Sequence, residues 1–188
     1  MSQTVAVAGA TGYLGRHVCA ALADEGFAVR ALVRSRQTAL EPHSFPAPAL
    51  QDIVTEWRVV DYARPDTLSG VLDGADRVVS TLGVTRQKAS PWDIDFLGNL
   101  RLLEQAEACG VRSFCYANVL RSESGTSLIM RAKHAFSQVL RRSPVSGQIV
   151  NPSGYFSDMT DVLLMARKGI GVVIGDGQAH FNPIHGAD

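Results

Sequence analysis

Gly9, Gly12 and Gly15 stand three apart at the end of a short apolar run, within the stretch from Val5 to Gly15. Glycines so placed suit a turn that receives a pyrophosphate. The tight passage from strand to helix needs unusual dihedrals, the phosphate must approach bare backbone, and the new helix must pack close to the strand. The helix that follows offers free N–H groups and the positive end of its dipole to an anion. Thr11, Tyr13 and Leu14 complete this candidate phosphate turn. The spacing is G-x-x-G-x-x-G rather than the more general G-x-G-x-x-G. The alternative is an ordinary glycine-rich turn.

Two further groups have chemistry to offer such a ligand. At the end of the second apolar run, an acidic residue would hydrogen-bond a ribose and repel a 2′-phosphate. This chain has Arg34 there, followed by Ser35 and Arg36. A guanidinium can clamp a phosphate through two parallel hydrogen bonds, so the pattern favours NADP(H), with NAD(H) as the alternative cofactor. The competing reading of Arg34 is a solvated arginine at a strand end. Farther on, Ser80-Thr81-Leu82-Gly83 ends the fourth apolar run, where ligands of such sheets lie, and Gly83 allows close backbone approach. Thr85-Arg86-Gln87-Lys88 then brings cations to the mouth of the same crevice. Arg86 is the candidate contact to substrate or cofactor, and a solvated loop is the alternative.

Regular alternation of elements has to position these groups. A helix is expected over 12–25, with Leu14, Val18, Ala21 and Leu22 on its apolar face and Gly26 as its stop. Strands follow at 27–33, with Arg30 as its one charge, and at 53–60. Between them, 37–52 carries three prolines and reads as a long loop holding at most one helical turn. Pro65 opens a short helix to Leu72. The fourth strand is 77–82, the longest helix 92–109, the fifth strand 111–119, a further helix 126–142 and the sixth strand 145–150. Strands and helices alternating in this way demand a Rossmann-type α/β fold, a doubly wound parallel sheet with helices on both faces.

Composition narrows the classes. The 188 residues suit one domain, and 18 basic against 18 acidic residues leave no electrostatic footprint for nucleic acid or an anionic membrane. Cys19, Cys109 and Cys115 are odd in number and form no C-x-x-C pair, which points to reduced core thiols. No apolar run approaches the ~20 residues of a membrane span, and strand residues begin too near Met1 for a signal segment. The expectation is a cytoplasmic, soluble protein. His17 and His134 read as surface or packing residues on helices. His180 and His185 lack metal-ligand spacing, so no metal site is expected.

Gly9 to Gly15, Asp95 to Asn99, Phe114 to Leu120, Ala132-Lys133, Asn151 to Asp158 and Asn182 to Asp188 occur together and in order. In these the chain resembles the atypical short-chain dehydrogenases/reductases, in their NAD(P)H-binding, NmrA-like and divinyl-reductase-like branch. The resemblance covers nearly the whole length. It implies that Asp61 and Tyr62 lie beside the adenine, although an aspartate there could also cap the helix at Pro65. Active members of the wider superfamily use a serine, a tyrosine and a lysine four residues after it for proton chemistry. Here these positions hold Asn118, Ile129 and Lys133. Isoleucine cannot deliver a proton, so the usual acid is missing. Lys133 would then hold the nicotinamide ribose, or else lie on the exposed face of a basic helix. Asn151 replaces the arginine that relatives place before Pro152. The Pro152-Ser153-Gly154 turn would border the nicotinamide, with Tyr155 and Phe156 as an aromatic wall and Tyr155 as a candidate proton donor.

These readings imply an NADP(H)-binding oxidoreductase acting on a small organic substrate. The alternative is a non-catalytic redox sensor that signals through a protein partner. The substrate lobe, from about residue 152, is expected to be incomplete, either because the chain is part of a longer protein or because it is a cofactor-binding domain alone.

Overall fold

Apolar side chains buried on both faces of one sheet set the architecture. The computed structural model describes residues 2–84, 89–171, 173, 176–178, 180 and 182–188. Its six strands are β1 (Thr4–Ala8), β2 (Ala28–Val33), β3 (Glu56–Val59), β4 (Arg77–Ser80), β5 (Ser113–Ala117) and β6 (Ser146–Val150). They pair in the order β3-β2-β1-β4-β5-β6, and every pairing is parallel. Parallel strands require crossovers, which are the source of the helices α1 (Tyr13–Asp24), α3 (Asn99–Ala108) and α4 (Leu128–Leu140). The doubly wound Rossmann-type fold read from the sequence is the one observed.

Alternate residues of the central strands feed two cores. Ala6, Ala8 and Leu32 face one that contains Leu102, Leu103, Phe114, Tyr116, Phe136 and Leu140. Val7, Val29, Ala31 and Val33 face the other, with Cys19 and Leu50. Phe136 of α4 is fully buried against the ring of Tyr116, 4.7 Å between centroids. Side chains of this size contribute about 1.5–3 kcal/mol each on burial. Arg30, the one charge of β2, is also buried. Its guanidinium bonds the Glu56 carboxylate and the carbonyls of Val71 and Asp73, so none of that charge is left without a partner.

Several boundaries differ from those expected. β3 starts at Glu56 rather than Ile53, because residues 51–53 form a turn. The helix at Pro65 is a single 3₁₀ turn ending at Leu68; Val71 and Leu72 are buried beyond it without continuing the helix. β4 ends at Ser80, and β5 is confined to Ser113–Ala117. α1 buries Gly15, Arg16 and Cys19, while Ala21 is exposed. A four-residue helix, α2 (Arg36–Ala39), occupies the start of the long loop, capped by Ser35. A fifth helix, α5 (Phe156–Arg167), was not anticipated. Of the thiols, Cys19 is buried, but Cys109 is only partly so and donates to the Asp73 carboxylate at 3.4 Å.

The expected helix 92–109 is two structures in one. Its first part, Trp92–Gly98, is π-helical, and α3 continues from it. Along the wider turn the buried side chains are Asp95 and Asn99, followed by Leu102, Leu103 and Ala106, while the apolar neighbours Phe96 and Leu100 are only half-buried. Short π segments of this kind are frequent at functional sites.

Candidate functional site

The strand order reverses between β1 and β4, and a crevice opens at their carboxyl ends. Gly9 ends β1 with φ +77°, a left-handed conformation costly for any residue with a β-carbon. A β-carbon on Gly9 would lie 2.7 Å from the Thr81 hydroxyl oxygen, and one on Gly15 only 2.1 Å from the Gly9 carbonyl oxygen. Gly12 differs, since a β-carbon there would meet only the Gly9 carbonyl oxygen, at 3.3 Å. Gly9 and Gly15 therefore close the turn against β4 and α1, while Gly12 leaves its outer face open. The Thr81 hydroxyl lies 3.0 Å from the Ala8 carbonyl and 3.2 Å from that of Gly9, clamping the turn from above. No side chain caps α1, so its first N–H groups are available to an anion.

Three connected hollows run along this edge. The central one is lined by Gly9, Thr11 and Gly12, by Leu32 to Arg34 of the β2 end, and by Tyr62, Thr81, Leu82 and Gly83. Tyr62 is buried there, and its hydroxyl has no hydrogen-bond partner. Through Thr11 and Arg34 this hollow joins a second, whose other walls include Ser35, Thr38, His43 and Ser44. That second hollow offers the Arg34 guanidinium and several hydroxyls, which suit a phosphate, with the Glu41 carboxylate also on its wall. Through Gly12, Thr81 and Gly83 the central hollow joins a third, lined by Tyr13, Leu14, Gly15, Asn118, Ile129, Lys133, Pro152 and Tyr155. A cradle that a β-carbon would fill, open helix N–H groups and a row of hollows on both sides fit an extended dinucleotide.

Arg16, which carries no sequence motif, ties the second hollow together. It is 3% exposed, and its guanidinium donates to the carbonyls of Thr11, Ala39, Glu41 and Pro48. Burial lowers its pKa from the ordinary value. An arginine thus fastens the loop after α2 to the helix that leaves the glycine turn. Replacing it with methionine strands several carbonyls, and Arg16→Met is expected to cost about 2 kcal/mol in urea unfolding. The same variant should be cleaved faster by protease within residues 40–49.

The third hollow brings together Asn118, Ile129 and Lys133, the three residues that the sequence resemblance singled out. Asn118 is buried and donates through Nδ2 to Ser122 Oγ at 2.8 Å and to Asn151 Oδ1 at 2.7 Å. Its Oδ1 has no partner. Lys133 is not on an exposed helix face, because its side chain is only 14% exposed. Its ammonium lies 3.2 Å from Asp95 Oδ1, 3.1 Å from the Ala117 carbonyl and 5.1 Å from the centre of the Tyr116 ring. Burial lowers its pKa, and the Asp95 charge partly restores it. Asp95 itself is fully buried, and its Oδ2 accepts from the Val84 N–H at 3.0 Å. Ile129 stands on the wall, 39% exposed. Burial, with Asp158 and Tyr13 nearby, pushes the Tyr155 phenol up to about 12, the opposite of an activated acid.

Not every expected residue reaches the crevice. Asp61 is exposed; its carboxylate accepts from the Ala63 N–H and closes a turn, and it does not cap the helix at Pro65, whose cap position is Arg64. The Ser153 hydroxyl is turned to the Asn182 carbonyl. Phe156 begins α5 with 55% exposure and is not on the wall, so the expected aromatic pair reduces to Tyr155. Arg86, with Thr85, Gln87 and Lys88, lies outside the described residues. Among the described residues no three His, Cys, Asp or Glu side chains are grouped to hold a metal. No helix among them is long and apolar enough to cross a membrane.

A glycine turn at a switch point, flanked by hollows, defines a nucleotide-binding α/β protein. The sequence profile of the NAD(P)H-binding family matches residues 9–169, and the chain belongs to that family. The photosystem II assembly factor Ycf39 of Cyanophora paradoxa is 28% identical over 83% of this chain and 47% of its own. The divinyl chlorophyllide a 8-vinyl-reductase of Zea mays is 26% identical over 93% of this chain and 46% of its own. Among solved structures, the triphenylmethane reductase of a Citrobacter species superposes with a TM-score of 0.76 at 20% identity, over 98% of this chain and 61% of that one. The chain spans about half the length of the curated relatives it matches.

Proposed function

We propose that the chain binds NADP(H) in preference to NAD(H) and acts as an oxidoreductase on a small organic substrate. The observation that carries the cofactor preference is the second hollow. Arg34, Ser35 and Thr38 line it together, and the residue that directly ends β2 is followed by Arg34 rather than a carboxylate, although Glu41 also lines the hollow. The glycine turn would take the pyrophosphate, the central hollow with Tyr62 the adenosine, and Asn118 and Lys133 the nicotinamide end. Bound nicotinamide supplies hydride chemistry; the protein's contribution is position and exclusion of water. We read residues 1–188 as one cytoplasmic nucleotide-binding domain with the beginning of a substrate lobe from about 152.

Calorimetric titration with each nucleotide tests this reading, and absence of binding by all of them would end it. Arg34→Asp is expected to weaken NADP(H) at least tenfold while sparing or improving NAD(H), since a carboxylate accepts from ribose hydroxyls and repels a 2′-phosphate. Equal loss for both cofactors would remove Arg34 from the phosphate site.

A second reading is a redox sensor that binds the nucleotide and acts through a protein partner. Ile129 on the wall and the raised Tyr155 phenol favour it, because neither supplies an acid. A relative named as an assembly factor is consistent with such a role. Nucleotide binding without NADPH oxidation across enones, quinones and aldehydes would select this reading over the enzyme.

A further inference from the structure

We propose that His17, His43 and His185, gathered around Tyr13, form an acid-sensitive clasp that fastens the segment 182–188 to the helix leaving the glycine turn. The three imidazoles come from three distant parts of the chain. His17 is on α1, His43 on the loop after α2, and His185 on the last segment. Ring centroids lie 4.9 Å apart for Tyr13 and His17, 5.0 Å for His17 and His185, 6.0 Å for Tyr13 and His185, and 6.2 Å for Tyr13 and His43. The backbone closes in as tightly as the rings. Gly186 donates its N–H to the Tyr13 hydroxyl at 3.2 Å, and a β-carbon on Gly186 would fall 2.5 Å from the His17 ring. Beyond the clasp the segment is held by a few bonds, notably Ile184 N–H to the Gly154 carbonyl and Phe156 N–H to the Ile184 carbonyl.

Two of the imidazoles accept a hydrogen bond. His43 Nδ1 accepts from the Phe45 N–H at 3.2 Å, and His185 Nδ1 accepts from the Ala187 N–H at 3.2 Å. A protonated ring carries hydrogen on both nitrogens and can accept neither bond. His17 Nε2 is buried with no hydrogen-bond partner, so a proton there would have no acceptor. Burial lowers the His17 pKa, His185 and His43 lower it further, and the Pro46 carbonyl opposes them.

The charged and titratable neighbours do not reverse this. From α1 these are Tyr13 and Arg16, the latter committed to four carbonyls. From the loop they are Glu41 and His43, and from the last segment His185 and Asp188, whose carboxylate accepts the His185 N–H. Tyr155 closes the group, 6.0 Å from Tyr13. Among the described residues no ion pair joins Glu41 or Asp188 to His17 or His185. With the fastened pKa of His17 below its ordinary 6.5, the clasp has its full strength above that value. It weakens as the pH falls through the fastened value. Tyr13 and Tyr155 both line the third hollow, so release of the segment would loosen one wall of it.

Hydrogen exchange at the Ile184 and Gly186 amides of the full chain, corrected for intrinsic rates and measured from pH 5.0 to 8.0, tests the clasp without nucleotide. Its outcome is therefore separate from that of the cofactor titrations. Protection is expected to drop tenfold or more between pH 7.5 and 5.5, and His17→Phe should markedly reduce that drop while keeping the ring contact. Should His17→Phe fail to fold, the ring-proton titration of the unaltered chain decides. A His17 midpoint below 6.5 that coincides with loss of Gly186 protection supports the clasp. Protection that ignores pH, a dependence undiminished in folded His17→Phe, or a His17 midpoint unconnected to Gly186 overturns it.

Discussion

Gly15→Ala is expected to abolish binding of NADP(H) and NAD(H) alike and to cost about 3 kcal/mol of stability. The added methyl group would lie 2.1 Å from the Gly9 carbonyl oxygen and 2.8 Å from the Ala10 α-carbon. Both obstacles are backbone, so no rotamer change relieves them, and α1 must back away from β1. Overpacking of a rigid site typically costs 1–3 kcal/mol, and this site has no soft side. Retreat of the helix also moves the N–H groups that would face a phosphate in the proposed site. Gly26→Ala supplies the control. Gly26 is equally left-handed, at φ +81°, but a β-carbon there meets nothing within 4 Å. That variant should lose about 1 kcal/mol from backbone strain alone and bind as before. Urea unfolding and calorimetry of the two variants measure both effects. Full binding by Gly15→Ala would exclude this turn as the phosphate site.

Asp95→Ala is expected to be the most damaging single change outside the turn. It leaves the Lys133 ammonium buried without its carboxylate and strips the Val84 N–H of its acceptor. Breaking a buried pair on one side typically costs 3–5 kcal/mol. The double variant Asp95→Leu/Lys133→Met removes both charges and should recover most of that loss. The pH dependence has a definite sign. The folded pKa of Lys133 is already below its ordinary 10.5, and loss of Asp95 takes away the negative charge that raises it. A depressed group favours the folded state only once it has shed its proton, so the deficit of Asp95→Ala should shrink as pH rises from 7 toward 10. A deficit that is constant over that range would show that Lys133 is not the group left stranded.

Local features of this site were readable and non-local ones were not. The glycine turn and the position of Arg34 at a strand end declare themselves because both depend on local sequence alone. The topology was equally legible, since alternating apolar runs and amphipathic stretches admit few arrangements. Asp95 escaped because its role depends on a π-helical turn in which it is buried while its apolar neighbour Phe96 is only half-buried. The signal present in the sequence was two polar residues, Asp95 and Asn99, four apart and in line with the buried Leu102 and Ala106. Arg16 escaped because it lies on the far side of α1 from the expected stripe, and the residues that proved to be buried are Gly15, Arg16 and Cys19. The histidines could not have been grouped from the sequence, because nothing local brings residues 17, 43 and 185 together. α5 was missed because its apolar residues form no inward stripe, and Leu163 and Leu164 are 58% and 47% exposed.

The Thr81 clamp over the glycine turn bears on how the protein is made. Thr81 is synthesised 72 residues after Gly9, whose carbonyl it covers. At roughly 5–20 residues per second, the emerging N-terminal βαβ unit waits on the order of ten seconds for that cover. During the interval β1 has an open edge on the side that β4 will occupy. The turn most legible in the sequence is thus completed late on the ribosome, and nascent chains stalled before β4 should not be retained on an immobilised nucleotide.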